Sequence, residues 1–129
     1  MYTVLVVDDS QASREIYSGI LQSHSIKVIE AANGIDAQQK LKSSTSDLPD
    51  LIITDVVMPE MNGYEFCRWV KNNPSTQKIP VLVCSSKNEE FDRYWGMKQG
   101  ADAYMTKPFA PPDLLKTIKD LFANSKANA

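Results

Sequence analysis

A single parallel α/β domain is the fold class this sequence predicts, and two observations carry that expectation. Five short apolar runs, Val4–Val7, Ile26–Ile29, Leu51–Ile53, Ile79–Cys84 and Ala103–Met105, are rich in β-branched residues or nearly continuous. Strands covered on both faces read this way. Between the runs, apolar residues fall at helical spacing, and five strands alternating with five helices imply parallel pairing through right-handed crossovers.

Each element has a local signal. After the first run, Ala12, Ile16 and Ile20 recur every four residues, with Leu21 beside them. Ala37 and Leu41 mark the second helix, with Asn33 as its N-cap. Asn33-Gly34 could instead open a hairpin, but no alternating strand pattern follows it. The third helix is expected to turn Phe66 and Val70 inward. The fourth opens with Ser86-Lys87-Asn88-Glu89, the spacing of a capping box, and closes near Gly100. The fifth begins at Pro111-Pro112-Asp113, where proline suits a first turn, and its apolar set is Leu114, Ile118, Leu121 and Phe122. Residues 1–123 are expected to form one domain, 124–129 a frayed tail, and no output domain is expected. There is no internal repeat or low-complexity segment.

The chain has 129 residues, enough for one compact core. A net charge of −2 offers no basic surplus for nucleic acid or an anionic membrane. No apolar stretch approaches the roughly 20 residues of a membrane span, and the N-terminus lacks the features of a secretion leader. Cys67 and Cys84 have no metal-ligand spacing and read as reduced, packed thiols. A cytoplasmic monomer without nucleic-acid or membrane partners is the expectation.

The chemistry sits where strands stop. In open parallel sheets, ligands bind outside the carboxyl ends of the strands. The first strand ends in Asp8-Asp9, the third in Asp55, the fourth in Ser85-Ser86, and the fifth in Lys107-Pro108. Adjacent carboxylates repel unless a cation or protons intervene. Three carboxylates, a hydroxyl and an ammonium on one rim suit Mg²⁺, a hard cation that takes a few carboxylates and a phosphoryl oxygen. Phosphoryl transfer needs mainly positioning and charge neutralisation, which such a group would supply. Taken singly, Asp8 reads equally well as a helix cap and Lys107 as a solvated charge.

The segments "VVDDS", "LIITDVVMPEMNGYEF", "VLVCSS" and "GADAYMTKPF" resemble the response-regulator receiver domain of two-component phosphorelays, in that family's order and spacing over residues ~2–123. The resemblance implies a CheY-like, flavodoxin-like sheet of order 2-1-3-4-5 with helices on both faces; that order is taken from the family. It implies phosphorylation on Asp55, Mg²⁺ held by Asp8, Asp9, Asp55 and the Val57 carbonyl, and Lys107 paired with the phosphoryl group. Lys107-Pro108 would be cis. Ser85 matches the switch hydroxyl, and Tyr104 the aromatic that changes rotamer on activation. A histidine kinase would be the phosphodonor. A downstream protein would bind the face of the fourth helix, fifth strand and fifth helix, including Trp95, Lys98 and Tyr104. The stretch "YWGMKQGADAYMTKP" further resembles the PilH-like regulators of pilus-driven twitching motility and phototaxis.

The resemblance implies a switch rather than an enzyme, assisting only its own phosphorylation and dephosphorylation. A phosphate sink without direct output is the nearest alternative. An aspartyl-phosphate phosphohydrolase would place Asp-x-Asp after the first strand, where this chain has Asp-Asp-Ser. A nucleotide or flavin binder would need a phosphate-binding glycine loop there. Met58 and Pro59 read as loop-shaping, and half-buried core is the lesser alternative for Tyr104. His24 reads as an exposed helix end, and Cys84 as core. The fourth helix holds Phe91, Tyr94, Trp95 and Met97. Phe91 and Trp95 share a face that is either core or part of a partner patch.

Overall fold

The computed structural model describes residues 2–43, 47–87 and 89–127. Its elements are β1 (Thr3–Val7), α1 (Gln11–Gln22), β2 (Lys27–Ala31), α2 (Gly34–Ser43) and β3 (Leu51–Thr54). They continue as α3 (Gly63–Asn72), β4 (Val81–Ser85), α4 (Glu90–Lys98), β5 (Ala103–Thr106) and α5 (Pro111–Ala127). All strands are parallel, in the order β2-β1-β3-β4-β5. Both the alternation and the order match expectation.

Strand alternation divides the core. Leu5, Val7, Ile52, Val81 and Val83 point to one face and meet Ala37 and Leu41 of α2 and Phe66 and Val70 of α3. Val4, Val6, Leu51, Ile53, Leu82 and Cys84 point to the other, against Tyr17 and Leu21 of α1 and Leu114, Ile118, Leu121 and Phe122 of α5. The register aligns the rim: Val7 lies opposite both Ala31 and Thr54, and Ser85 opposite Thr106. The residues after those strand ends therefore emerge side by side.

Local signals explain most helix ends. The Asn33 side chain accepts the Asp36 N–H at 2.8 Å. In α3, Asn62 and Glu65 form a reciprocal capping box at 2.9 and 3.1 Å, legible as Asn-x-x-Glu yet not singled out from the sequence. Gly100 ends α4 with φ of 103°, a conformation glycine reaches without penalty.

Two expectations are corrected. Of the set expected along α1, Leu21 is buried and Ile20 half-buried against the core, whereas Ala12 and Ile16 are exposed, Ile16 by 59%, and Tyr17 points inward in their place. The helix carries two neighbouring apolar stripes, and the sheet takes the one with the larger side chains. Helix α4 starts at Glu90 rather than just after Ser86, with the Glu89 N–H donating to the Asp92 carboxylate at 3.3 Å. Asn88 of the expected box lies outside the described residues. Helix α5 runs from Pro111 to Ala127 and so takes in residues 124–127 of the expected tail. Residues 128 and 129 of the expected frayed tail lie outside the described residues.

Candidate functional site

The pocket is assembled from strand ends. The Asp8 N–H donates to the Ala31 carbonyl at 3.1 Å, the Asp55 N–H to the Val7 carbonyl at 3.0 Å, and the Lys107 N–H to the Ser85 carbonyl at 2.8 Å. Each bond extends the ladder one step and fixes the departing residue. Asp8 is only 1% exposed, Asp9 is exposed, and Asp55 lies between them in burial. One carboxylate oxygen from each lies within 4.8 Å of the others. The Lys107 Nζ sits 2.8 Å from Asp8 Oδ2 and 3.7 Å from Asp55 Oδ2. The Lys107–Pro108 peptide is cis, as the resemblance implied.

The cap that Asp8 alone could have supplied falls to Ser10, and Asp8 instead orders the turn before the helix. Its Oδ1 accepts the Ser10 N–H at 2.9 Å, while Ser10 Oγ caps α1 through the Ser13 N–H at 3.2 Å. One oxygen of Asp8 thus orders the turn, and the other faces Lys107. Arg14 fastens the same turn by donating to the Asp8 carbonyl at 2.7 Å while pairing with Glu30.

Electrostatics favour a cation. Burial pushes the Asp55 carboxyl above its ordinary value. The Lys107 charge and the Val56 N–H, at 2.7 Å from Oδ1, oppose that rise, while Asp8 and Asp9 add to it. Burial alone would lower the Lys107 ammonium, but the Asp8 hydrogen bond and the neighbouring carboxylates outweigh it and raise its pKa. Three carboxylates facing one ammonium leave negative charge unbalanced. Hard oxygens so arranged fit Mg²⁺ in number and chemistry. Val57 lies on the adjoining loop with its side chain exposed.

That loop is pinned by close approach. The Gly63 N–H donates to the Val56 carbonyl at 2.8 Å, and a Cβ on Gly63 would stand 1.9 Å from the Asp55 carbonyl oxygen. Glycine is required there by space. Met58 is buried and Pro59 exposed, consistent with loop-shaping parts.

Ser85 is fully buried, and its Oγ accepts the Lys87 N–H at 3.2 Å. Tyr104, read from the sequence as a rotamer-changing aromatic or as half-buried core, has its side chain inside, 6% exposed. Its hydroxyl donates to the Lys87 carbonyl at 2.7 Å. Arg93 reaches the Tyr104 carbonyl at 3.1 Å and lies 5.5 Å from the ring centre. Gly96 makes the room: a Cβ there would be 3.0 Å from the Tyr104 ring. Of the three residues expected on the partner face, Trp95 and Lys98 are exposed and Tyr104 is not.

The fourth-helix aromatics resolve toward the surface. Phe91 is 68% exposed and stacks on Trp95, with Tyr94 and Met97 exposed beside them. His24 is exposed at the end of α1, and both cysteines are buried and free. Sequence reasoning missed Tyr17. It is buried below the pocket with its ring under Lys107, and its only signal was a tyrosine four residues before Leu21. No helix among the described residues is long and apolar enough to cross a membrane.

This sheet order, with an acid group and a lysine at the carboxyl rim, defines the receiver class of parallel α/β folds. The chain belongs to the response regulator receiver domain family, whose sequence model matches residues 4–119. It is similar to protein PilH of Pseudomonas aeruginosa, 36% identical over 123 residues covering 95% of this chain and 99% of PilH. Protein PilG of the same organism is 38% identical over 116 residues, covering 90% of this chain and 84% of PilG. Among solved structures, a chemotaxis response regulator of Vibrio cholerae superposes with a TM-score of 0.85 at 35% identity, covering 94% of this chain and 98% of that one. Receiver domains of this family bind Mg²⁺ at an acidic pocket, take phosphoryl groups from histidine kinases, and act as signalling modules.

Proposed function

We propose that this chain is a phosphorylation switch of a two-component or chemosensory pathway, with Asp55 as phosphoacceptor. One observation carries the reading: three strand-end carboxylates meet within 4.8 Å, with Lys107 2.8 and 3.7 Å from two of them. Asp8, Asp9, Asp55 and the Val57 carbonyl would hold Mg²⁺, which when bound neutralises phosphoryl oxygens. The chain's own residues do the rest. An Asp55 carboxylate oxygen attacks phosphorus in line, and a P–O bond forms as the P–N bond to the donor imidazole breaks. The imidazole leaves with the electron pair. Lys107 supplies a fixed positive charge to the transferred oxygens, and Ser85 Oγ donates to one of them. Asp8, bonded to Ser10 and Lys107, keeps the lysine aimed.

Lying cytoplasmic and taking its phosphoryl group from a histidine kinase, the protein would signal through the exposed Phe91, Trp95 and Lys98 side of α4. The PilH-like stretch of the sequence, with PilH and PilG among its relatives, supports control of pilus-based motility or phototaxis. A phosphate sink draws on one observation of its own: Tyr104 is already inside, so the rearrangement assigned to it would precede phosphorylation. The test is labelling with acetyl phosphate and Mg²⁺, followed by mapping of the modified residue. Asp55 should carry the phosphoryl group, and Asp55→Asn should abolish it. An Asn variant labelled at the wild-type rate would end the assignment.

A further inference from the structure

A buried tyrosine is a poor choice for a purely apolar core position, because its hydroxyl must find a partner or lose free energy. Tyr17 on α1 is 2% exposed, and its hydroxyl lies against the Cys84 thiol, a weak partner. Leucine would fill an α1 core position without that cost. The ring has other company. The Lys107 Nζ stands over it at 5.8 Å from the centre, and the Phe109 ring stacks on it at 5.5 Å with a 26° tilt. Tyr17 thus engages both ends of the segment Lys107-Pro108-Phe109. Beyond it, among the described residues, the Lys107 ammonium is held by Asp8 at 2.8 Å and loosely by Asp55 at 3.7 Å.

We propose that Tyr17 is a positioning residue for Lys107. The face of its ring attracts the ammonium and limits its travel to the arc between Asp8 and Asp55, while Phe109 anchors the backbone that carries it. The need arises in the transfer step, when the ammonium must leave a carboxylate contact for a phosphoryl oxygen. A lysine held by carboxylates alone would lose its guide as their charge is engaged elsewhere. An aromatic face attracts the ammonium in either position without competing for the phosphoryl oxygens. This inference rests on the receiver reading of the pocket.

The test compares Tyr17→Leu, which keeps apolar bulk without the aromatic face, with Tyr17→Phe, which keeps the ring. Both are made in the parent protein and in Lys107→Ala. Initial rates of Asp55 labelling are measured against acetyl phosphate concentration with Mg²⁺ present. Tyr17→Leu should lower the limiting rate about 3- to 10-fold and leave half-saturation unchanged, and Tyr17→Phe should restore the rate. In Lys107→Ala, Tyr17→Leu should cost nothing further, because the two side chains act as one unit. An independent readout needs no activity: the Lys107 ε-methylene protons should be shifted upfield by the ring in the parent and in Tyr17→Phe. A parent protein without that shift overturns the proposal, even if Tyr17→Leu fails to fold. So does an equal loss of rate in Lys107→Ala, which would mark a general packing role. A parent that takes no label defeats the receiver reading and this inference with it. A labelled parent matched by Tyr17→Leu defeats the inference alone.

Discussion

Replacing Gly63 by alanine pits two local effects against each other. Gly63 is the first residue of α3, and helix propensity by itself favours alanine over glycine by up to about 1 kcal/mol. The tertiary contact opposes it. A Cβ would lie 1.9 Å from the Asp55 carbonyl oxygen, 2.8 Å from its carbon and 3.0 Å from the Val56 Cα. All three are backbone atoms, so no side chain can swing aside. Reaching even the 3.0 Å that real Cβ atoms respect requires a displacement of about 1 Å between α3 and the Asp55 loop. The shift also strains the Gly63 N–H bond to Val56, which is 2.8 Å long. Overpacking of this kind costs roughly 1–3 kcal/mol, and a strained backbone bond adds to that. A net loss of about 2–3 kcal/mol corresponds to a melting point roughly 8–12 °C lower for a domain of this size. Because the displaced atoms belong to Asp55 itself, the labelling rate should fall by on the order of 100-fold, as for other ångström-scale misplacements. Thermal denaturation followed by circular dichroism and acetyl phosphate labelling check the two halves. A variant melting within about 2 °C of the parent, or more stable, would refute the steric argument.

Three further outcomes are expected. Mg²⁺ binding only the native state should raise stability by about 1.4 kcal/mol per tenfold excess. Asp9→Ala should flatten that rise, and a parent midpoint that ignores Mg²⁺ over a wide titration would count against the metal site. Burial pushes the Cys67 thiol up from its ordinary 9.0 to about 11, so the folded protein should resist alkylation near pH 8 and react only when unfolded. The same shift makes alkali destabilising: this contribution is whole below pH 9, where both states keep the proton, and is lost as pH rises toward 11. Urea midpoints across that range, with and without Cys67→Ala, measure it. Ile16, 59% exposed, borders an apolar groove with Ile20, Phe109 and Lys107 at the edge of the pocket. Ile16→Asp should cut transfer from a phosphorylated kinase about 10-fold while acetyl phosphate labelling continues, so equal losses with both donors would argue against a docking role.

Much of this molecule was legible in the chain. Strand and helix alternation follows from local periodicity, and the residues ending each strand are adjacent to apolar runs that any reader can count. The meeting of Asp8, Asp9, Asp55 and Lys107 was legible because position at a strand end is a sequence property, and parallel topology sends all those ends to one rim. Which stripe of a helix goes inward is different. Ala12 and Ile16 sit at the same four-residue spacing as Tyr17 and Leu21, but only the sheet surface beneath α1 decides between the two pairs. The outward place of the α4 aromatics is decided on the same ground, since Phe91 and Trp95 stack on each other without any core to receive them. Tyr104 lies inside because Gly96 leaves space and Lys87 offers a carbonyl, conditions set by neighbours far apart in the chain. The 1.9 Å approach at Gly63 and the tyrosine ring under Lys107 belong to this second kind. Periodicity reports which residues share a face and motifs report which atoms can react. Distances between elements depend on packing, where every side chain's place is set by volumes contributed from several segments at once.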